Sequence, residues 1–531
     1  MYKTKKIAIL LSLISACYFA GCSDDNDGSK NEDKCANKTC NSGTCNPDTG
    51  ECETTTDKCA GKTCNSGTCN PATGECETTT DKCAGKSCMF GTCDPETGEC
   101  PNASDNLING DNHSSIQITQ LPPNDNGSDP WPDGVIAFEI GSNHYFGIAG
   151  EASDSVIIVD DKGNVISNTR ITENMVPSDY PCLKDDDFAG VSYSPDSMTA
   201  FQLKDKTYLA ATLRYSGAVI IFDVTNPASP VFELIVHSGV GDITGTGTCT
   251  DYSNMTKVYP EGIASGVIGE DAYIFVANEG DSTATSLKVE DISTSIKGIV
   301  AGLNIKITKS ITKDLGGNIE SVRFVEGRSN PSFIAVSSKT RTIHYLEVSD
   351  SELKNYYEDY IGSYSQSEYE FTNSAVLDEK HTLITLTKPT KSGDKFTACA
   401  GELLIVENDK TTSGGNQKVT AVTVGPMPDA VAISPNKKYA ITADEQDSTE
   451  AWGKCPVNDG KPGISIIQLA DDTGNLLETP ILLKQIQFTK NDKSQPREPE
   501  YVSIASDNDT VAVTLQDSHE VAVFKLSDVL K

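Results

Sequence analysis

The sequence predicts an all-β fold, a seven-bladed β-propeller preceded by small disulfide-rich repeats. Three observations predict it. The last 400 or so residues hold no long 3.6-period pattern. They hold short Tyr/Ala/Val-type and Ile/Val-type strand patterns, separated by Gly/Asn/Lys-rich turns. One strand-hairpin-strand-loop-strand unit recurs seven times, which is the signature of radial repetition. A stack of separate β-sandwiches would not explain that recurrence.

The second strands of the seven units are expected at 145–149, 208–212, 273–277, 333–337, 382–386, 439–443 and 510–514. The third strands are expected at 155–160, 218–224, 286–289, 342–348, 401–407, 463–469 and 520–526. The propeller is therefore placed at 131–531. Residues 101–130, rich in Asn, Asp and Pro, read as a linker.

The chain begins with a positive stretch (Lys3, Lys5, Lys6) and a short apolar run, Ile7 to Phe19. The run is too short for an ordinary transmembrane helix and reads as an export signal, residues 1–21. Phe19-Ala20-Gly21-Cys22 resembles the lipobox of bacterial lipoproteins, with Phe where Leu is usual. The resemblance implies cleavage before Cys22, acylation of Cys22 (palmitate among the chains) and attachment to the cell envelope. Several acyl chains on one Cys anchor stably where one alone does not. Ser23 is not the Asp that retains enteric lipoproteins in the inner membrane, so the outer membrane or cell surface is expected. Residues 22–34 are acidic and read as a disordered tether.

Three 24-residue repeats fill 35–100. Their cysteines are Cys35, Cys40, Cys45 and Cys52, then Cys59, Cys64, Cys69 and Cys76, then Cys83, Cys88, Cys93 and Cys100. Units this small have almost no large apolar side chain and need cross-links. Export favours disulfides over zinc, and the C-x2-C knuckles common in zinc sites are missing. Four cysteines allow three connectivities, and the spacing does not choose among them. Asn46-Pro47-Asp48-Thr49-Gly50 and its counterparts predict a turn between the last two cysteines of each unit. The units resemble truncated EGF-like modules. They serve either as a spacer or as a binding module.

Within the propeller, Met427-Pro428-Asp429-Ala430-Val431-Ala432-Ile433-Ser434 followed by Ala443-Asp444-Glu445, and Glu498-Pro499-Glu500-Tyr501-Val502 followed by Thr514-Leu515-Gln516-Asp517, resemble blades of the choice-of-anchor I propellers. Pro260-Glu261-Gly262-Ile263 with Ala277-Asn278-Glu279-Gly280-Asp281 fits the same pattern. That family is related in shape to the YVTN and lactonase-like propellers. Its members are exported and held at the surface by varied anchors.

Asp133, Glu261, Glu320, Asp429 and Glu500, with Asn373, fall at the starts of innermost strands. Those strands line the central channel, so equivalent positions converge. Converging carboxylates repel unless protons or a cation compensate. Oxygen ligands suit Ca2+ or Mg2+, and Ca2+ is the cofactor expected at the channel mouth. The alternative is that each carboxylate caps its own blade or faces water. A second acidic set follows the second strands (Asn278 to Asp281, Asp444 to Asp447, Gln516-Asp517) and is expected on the opposite rim. Cys182 with Cys249, and Cys399 with Cys455, are the expected bridges between neighbouring blades.

Acidic residues number 76 against 43 basic ones, a net charge of −33, which excludes nucleic acid as a partner. No Gly-x-Ser-x-Gly, His-Glu-x-x-His or P-loop occurs, and the six histidines are scattered. The expected function is display of the propeller on the cell surface to bind an extracellular protein or glycan. The alternative is an exported metal-dependent hydrolase of phosphoesterase or lactonase type.

Overall fold

The structure is a computed structural model. It describes residues 44–45, 51–53, 68–69, 76–77, 106–175, 193–239, 258–292, 304–349, 351–364, 369–392, 395–407, 418–445, 462–488 and 497–531. The chain divides into two units, Met1–Asp81 and Lys82–Lys531. In the first, Thr44–Cys45 pairs antiparallel with Cys52–Glu53, and Thr68–Cys69 with Cys76–Glu77. Each hairpin sets the last two cysteines of its repeat opposite one another, as the predicted turn requires. The signal segment, the tether, the third repeat, Cys182, Cys249 and Cys455 lie outside the described residues. Cys399 is buried and disulfide-bonded.

The second unit is a seven-bladed propeller. Blade one comprises Pro132–Ile140, Asn143–Gly150, Ser155–Asp160 and Val165–Arg170. Blade two is Pro195–Leu203, Lys206–Leu213, Ala218–Asp223 and Val231–His237. Blade three is Pro260–Ile268, Asp271–Asn278, Thr283–Asp291 and Ile305–Asp314. Blade four is Ile319–Phe324, Ser332–Ser337, Thr342–Val348 and Leu353–Tyr360. Blade five is Glu370–Val376, His381–Ser392, Lys395–Glu407 and Val419–Val424. Blade six is Pro428–Ile433, Tyr439–Asp444, Gly463–Ala470 and Leu476–Gln487. Blade seven takes Pro499–Ile504, Thr510–Leu515 and Glu520–Lys525 from the C-terminus. The first strand of each is innermost, and the inner strands touch in a closed cycle from blade one round to blade seven.

Seven apolar clusters hold the ring, one between each pair of neighbouring blades. Within the third strand of blade one, Ile157 and Val159 pack toward blade seven, while Val156 and Ile158 pack toward blade two. Alternate residues thus meet opposite neighbours. Both faces are covered, so the strands read as continuous apolar runs.

The stretch 101–130 is not wholly a linker. Ile116–Gln120 pairs antiparallel with Glu520–Lys525 and is the outer strand of blade seven. Leu107–Asn109 adds in parallel to the outer strand of blade six. Arg497 fastens the closure, with Nη1 2.7 Å from Asp111 Oδ1 and Nε 2.6 Å from Glu520 Oε2. The alternation Ile116-Gln117-Ile118-Thr119 is a short edge pattern whose partner lies some 400 residues away, so local reading passes over it.

Candidate functional site: the acidic mouth of the channel

Every inner strand starts with a register shift against its second strand. The shifts fall at Pro132/Val135, Pro195/Met198, Pro260/Gly262, Ile319/Ser321, Phe371/Ser374, Pro428/Ala430 and Pro499/Val502. Such bulges bend a strand and re-aim a side chain. Proline is tolerated at a strand's first residue because no ladder donor is lost there. In four blades the residue before Pro (Trp131, Ser194, Tyr259, Met427) has φ between 40 and 49°. That left-handed turn is unusual for side chains of this size.

The residues at these bulges are Asp133, Asp196, Glu261, Glu320, Asn373, Asp429 and Glu500. All five sequence-predicted carboxylates occupy equivalent places on inner strands. Asp196 completes the set. Its Ser194-Pro195-Asp196 has the same Pro-acid step as Asp133 and Asp429, which was signal enough to find it. Close approach of the strands rests on two glycines. A Cβ on Gly134 would lie 2.4 Å from the Asp196 carbonyl, and one on Gly262 2.7 Å from the Glu320 carbonyl.

The described residues of the second acidic set (Asn278 to Asp281, Asp444-Glu445 and Gln516-Asp517) are on this mouth and not on the opposite rim. Antiparallel pairing puts Asn278 opposite Pro260 and Asp444 opposite Pro428. The end of each second strand therefore returns to the start of its inner strand. The consequence is sharpest in blade three, where Glu279 joins the inner ring. Carboxylate oxygens of Glu261, Glu279 and Glu320 all lie within 4.8 Å of one another. Asn318 Nδ2 donates to Glu279 Oε1 (2.9 Å), and Ser338 Oγ donates to Glu320 Oε1 (2.8 Å).

Among the described residues, Arg214 brings a cation into the ring. Arg214 Nη2 is 2.5 Å from Glu261 Oε1, and Nη1 is 3.5 Å from Asp196 Oδ2. Burial opposes its charge, but Asp196, Glu261, Asp133 and Glu151 outweigh that and hold it more firmly protonated. One guanidinium does not balance so many acids. Burial, reinforced by neighbouring carboxylates, pushes Asp133, Asp196 and Glu320 well above the usual carboxylate range. Burial and then Glu261 push Glu279 up to about 7. These groups hold protons at pH values where exposed carboxylates have lost them. The oxygen-only trio of Glu261, Glu279 and Glu320 fits a hard divalent cation, which would do the work of those protons.

Asp444 plays a different part. It is buried inside blade six and accepts from Thr442 Oγ1 (2.7 Å), Ser465 Oγ (2.6 Å) and Gly425 N (3.2 Å). Burial pushes it up to about 7. His344 is a buried blade residue, with Nδ1 3.1 Å from Glu358 Oε1.

Part of the propeller resembles a known family. Residues 320–529 match the choice-of-anchor I domain. The matched segment spans the inner strand of blade four to the end of blade seven. It contains three of the five predicted carboxylates, Glu320, Asp429 and Glu500. No curated protein matches the chain in sequence. Among solved structures, the chain is similar to hydrazine synthase of Kuenenia stuttgartiensis. Identity is 14% over 77% of this chain and 98% of that one, with a TM-score of 0.49. It is also similar to the Cps50 (Swd1) β-propeller domain of Myceliophteria thermophila, at 9% identity over 77% and 99% of the chains and a TM-score of 0.43. A candidate 6-phosphogluconolactonase of Bacteroides uniformis aligns at 10% identity over 69% and 88%, with a TM-score of 0.40.

Proposed function

We propose that the chain is a cell-surface lipoprotein that displays its propeller to bind an extracellular protein or glycan. In chain order, the acylated Cys22 anchors it, the cysteine repeats space it and the propeller recognises its partner. The choice-of-anchor I match over blades four to seven is the observation that carries this reading. The family resemblance implies export and surface attachment, and the lipobox supplies the anchor. In this reading a divalent cation, Ca2+ by its oxygen donors, binds Glu261, Glu279 and Glu320 and stiffens the mouth.

Two measurements test it in cells that express the whole chain. Metabolic labelling with a clickable palmitate analogue is expected to mark the wild type and not Cys22→Ala. Proteinase treatment of intact cells is expected to remove propeller epitopes. Absence of label, or full protection from protease, refutes display.

The carboxylate trio also supports a second reading, a metal-dependent hydrolase, because a bound cation can activate water. Ca2+-dependent, EDTA-sensitive turnover of phosphoesters or lactones, lost in Glu279→Gln, would favour it over a binder.

A further inference from the structure

Away from the acidic mouth, the inner strands enclose a cavity of about 530 Å3. That is a size which accepts small organic ligands. Part of its wall is apolar, with Ile136, Ile263 and Val431 among the lining residues. The rest is polar and centres on Arg323, on the inner strand of blade four.

Arg323 differs from the other channel arginine in its partners. Its Nη1 donates to the Val322 carbonyl (2.7 Å) and its Nη2 to Asn373 Oδ1. Neither partner carries charge. Among the described residues no carboxylate pairs with it, whereas Arg214 pairs with two. Burial therefore lowers its hold on the proton, with the Tyr501 phenol the one group acting against that. A recessed cation without a counter-charge costs several kcal/mol, and an anion from solution removes that cost. Two of the five guanidinium N–H groups are committed, which leaves three to donate.

Hydroxyls complete the set. Ser503 Oγ accepts from Ala137 N (2.9 Å), which leaves its own proton to give. Ser197, which gives its amide to Thr212 Oγ1 (2.9 Å), also lines the cavity. Tyr501 also lines the cavity. Besides burial, Asp196, Asp133 and Asp429 act on its phenol in one sense and Arg323 in the other. The acids on the cavity's outer rim do not fill the role. Asp378 is held by His381 (2.9 Å), and Glu326 and Glu379 are exposed to solvent. Lys437 lies on the same rim.

We propose that this cavity is a binding site for a small organic anion. Its carboxylate or phosphate headgroup is held by Arg323 with Ser197 and Ser503, and its body lies against the apolar wall. Arg presents a planar fork matched to such headgroups. The site is independent of the cation proposed for the other mouth.

The test is calorimetric titration and thermal melting of the purified full chain in EDTA, at constant chloride. Two series of probes are used: inorganic phosphate and glycerol phosphate, and straight-chain monocarboxylates from acetate to hexanoate. Saturable binding of one series is expected, and tells phosphate from carboxylate. Arg323→Met is expected to weaken it at least tenfold, and Arg323→Lys to weaken it less. If Arg323→Met does not fold, the Ser197→Ala/Ser503→Ala pair is expected to weaken binding several-fold. Glu279→Gln is expected to leave it unchanged, so failure of the cation reading does not decide this one. No saturable binding of either series, or equal binding by Arg323→Met or, in its place, by the serine pair, overturns the proposal.

Discussion

Arg214 Nη2 lies 2.5 Å from Glu261 Oε1, and the two belong to different blades. Arg214 follows the second strand of blade two, and Glu261 begins the inner strand of blade three. The pair ties neighbouring blades at the acidic mouth and neutralises one member of a crowded ring. Removing it leaves Glu261 and Asp196 without compensation. Loss of one partner of a recessed ion pair costs about 3–5 kcal/mol. Arg214→Met is therefore expected to melt earlier than wild type at pH 8, and the deficit is expected to shrink toward pH 5 as the ring takes up protons. A deficit equal at both pH values would show that Arg214 acts through packing alone.

Glu261, Glu279 and Glu320 predict a response to divalent cations. At 100 times its dissociation constant, a ligand adds about 2.7 kcal/mol to the folded state. Thermal melts with millimolar Ca2+ against excess EDTA are expected to differ by a few degrees at pH 8. The difference is expected to fall at pH 5, where protons compete for Glu279, whose titration lies near 7. Glu279→Gln is expected to abolish it, while Asp429→Gln, outside the trio, is expected to keep it. A shift that survives Glu279→Gln places the cation elsewhere.

The raised carboxyls set a direction for the pH dependence. Asp444 titrates near 7 in the folded chain and near 4 when unfolded. From about pH 4 to 7 the unfolded chain releases that proton while the folded chain keeps it. Stability must therefore fall as pH rises through this window. Glu279 adds to the fall. Asp507 works in the other sense. Burial opposes its charge, but Lys525 (2.8 Å) and Thr510 outweigh it and hold its carboxyl below the usual range. Its contribution is lost as pH drops below about 4. In metal-free buffer the melting temperature is expected to peak at about pH 4–5. Asp444→Asn is expected to flatten the alkaline side and to gain a few degrees at pH 8. Asn is accommodated at the matching place in blade three, where Asn278 donates to Ser238 O (2.8 Å). An unchanged profile in the variant would remove Asp444 from the account.

The N-terminal closing strand predicts a sharp limit to truncation. A chain beginning at residue 106 keeps Ile116–Gln120 and is expected to melt like the full chain. A chain beginning at residue 121 exposes the edge of Glu520–Lys525 and loses Ile116 from the cluster between blades six and seven. An unpaired edge of this kind templates aggregation. Size-exclusion chromatography is expected to show the shorter chain as aggregate. A monomeric peak with unchanged melting would show that the strand is dispensable.

Much of the propeller was readable because each strand is covered on both faces. Each of the fourteen expected second and third strands overlaps an observed strand, although His381–Ser392 and Lys395–Glu407 run well past the expected 382–386 and 401–407. The Pro-acid steps disclosed which residues meet at the axis, because a bulge in every blade gives them one geometry. Asp196 was passed over although Pro195-Asp196 carries the same Pro-acid step, because it follows a long insertion after blade one. Glu279 was assigned to the wrong rim for want of one piece of geometry, that a hairpin returns its end to its beginning. Arg214 and Arg323 belong to no motif. Their roles come from which acids do or do not stand beside them in space, and single-sequence patterning does not carry that. The match over 320–529 bears out the resemblance to the choice-of-anchor I propellers.

The strand that shuts the ring is synthesised first and needed last. Ile116–Gln120 waits for Glu520–Lys525, some 400 residues later, and Gln120 Nε2 reaches the carbonyl of Ser518 across 398 positions. At about 5–20 residues per second of elongation, that wait is roughly 20–80 s. For all of it, six blades can form without a closed circle, with an open edge at each end. The final event in maturation is then a single zipping step that depends on the last dozen residues. A nonsense codon near the C-terminus would spoil the whole disc and not just its seventh part.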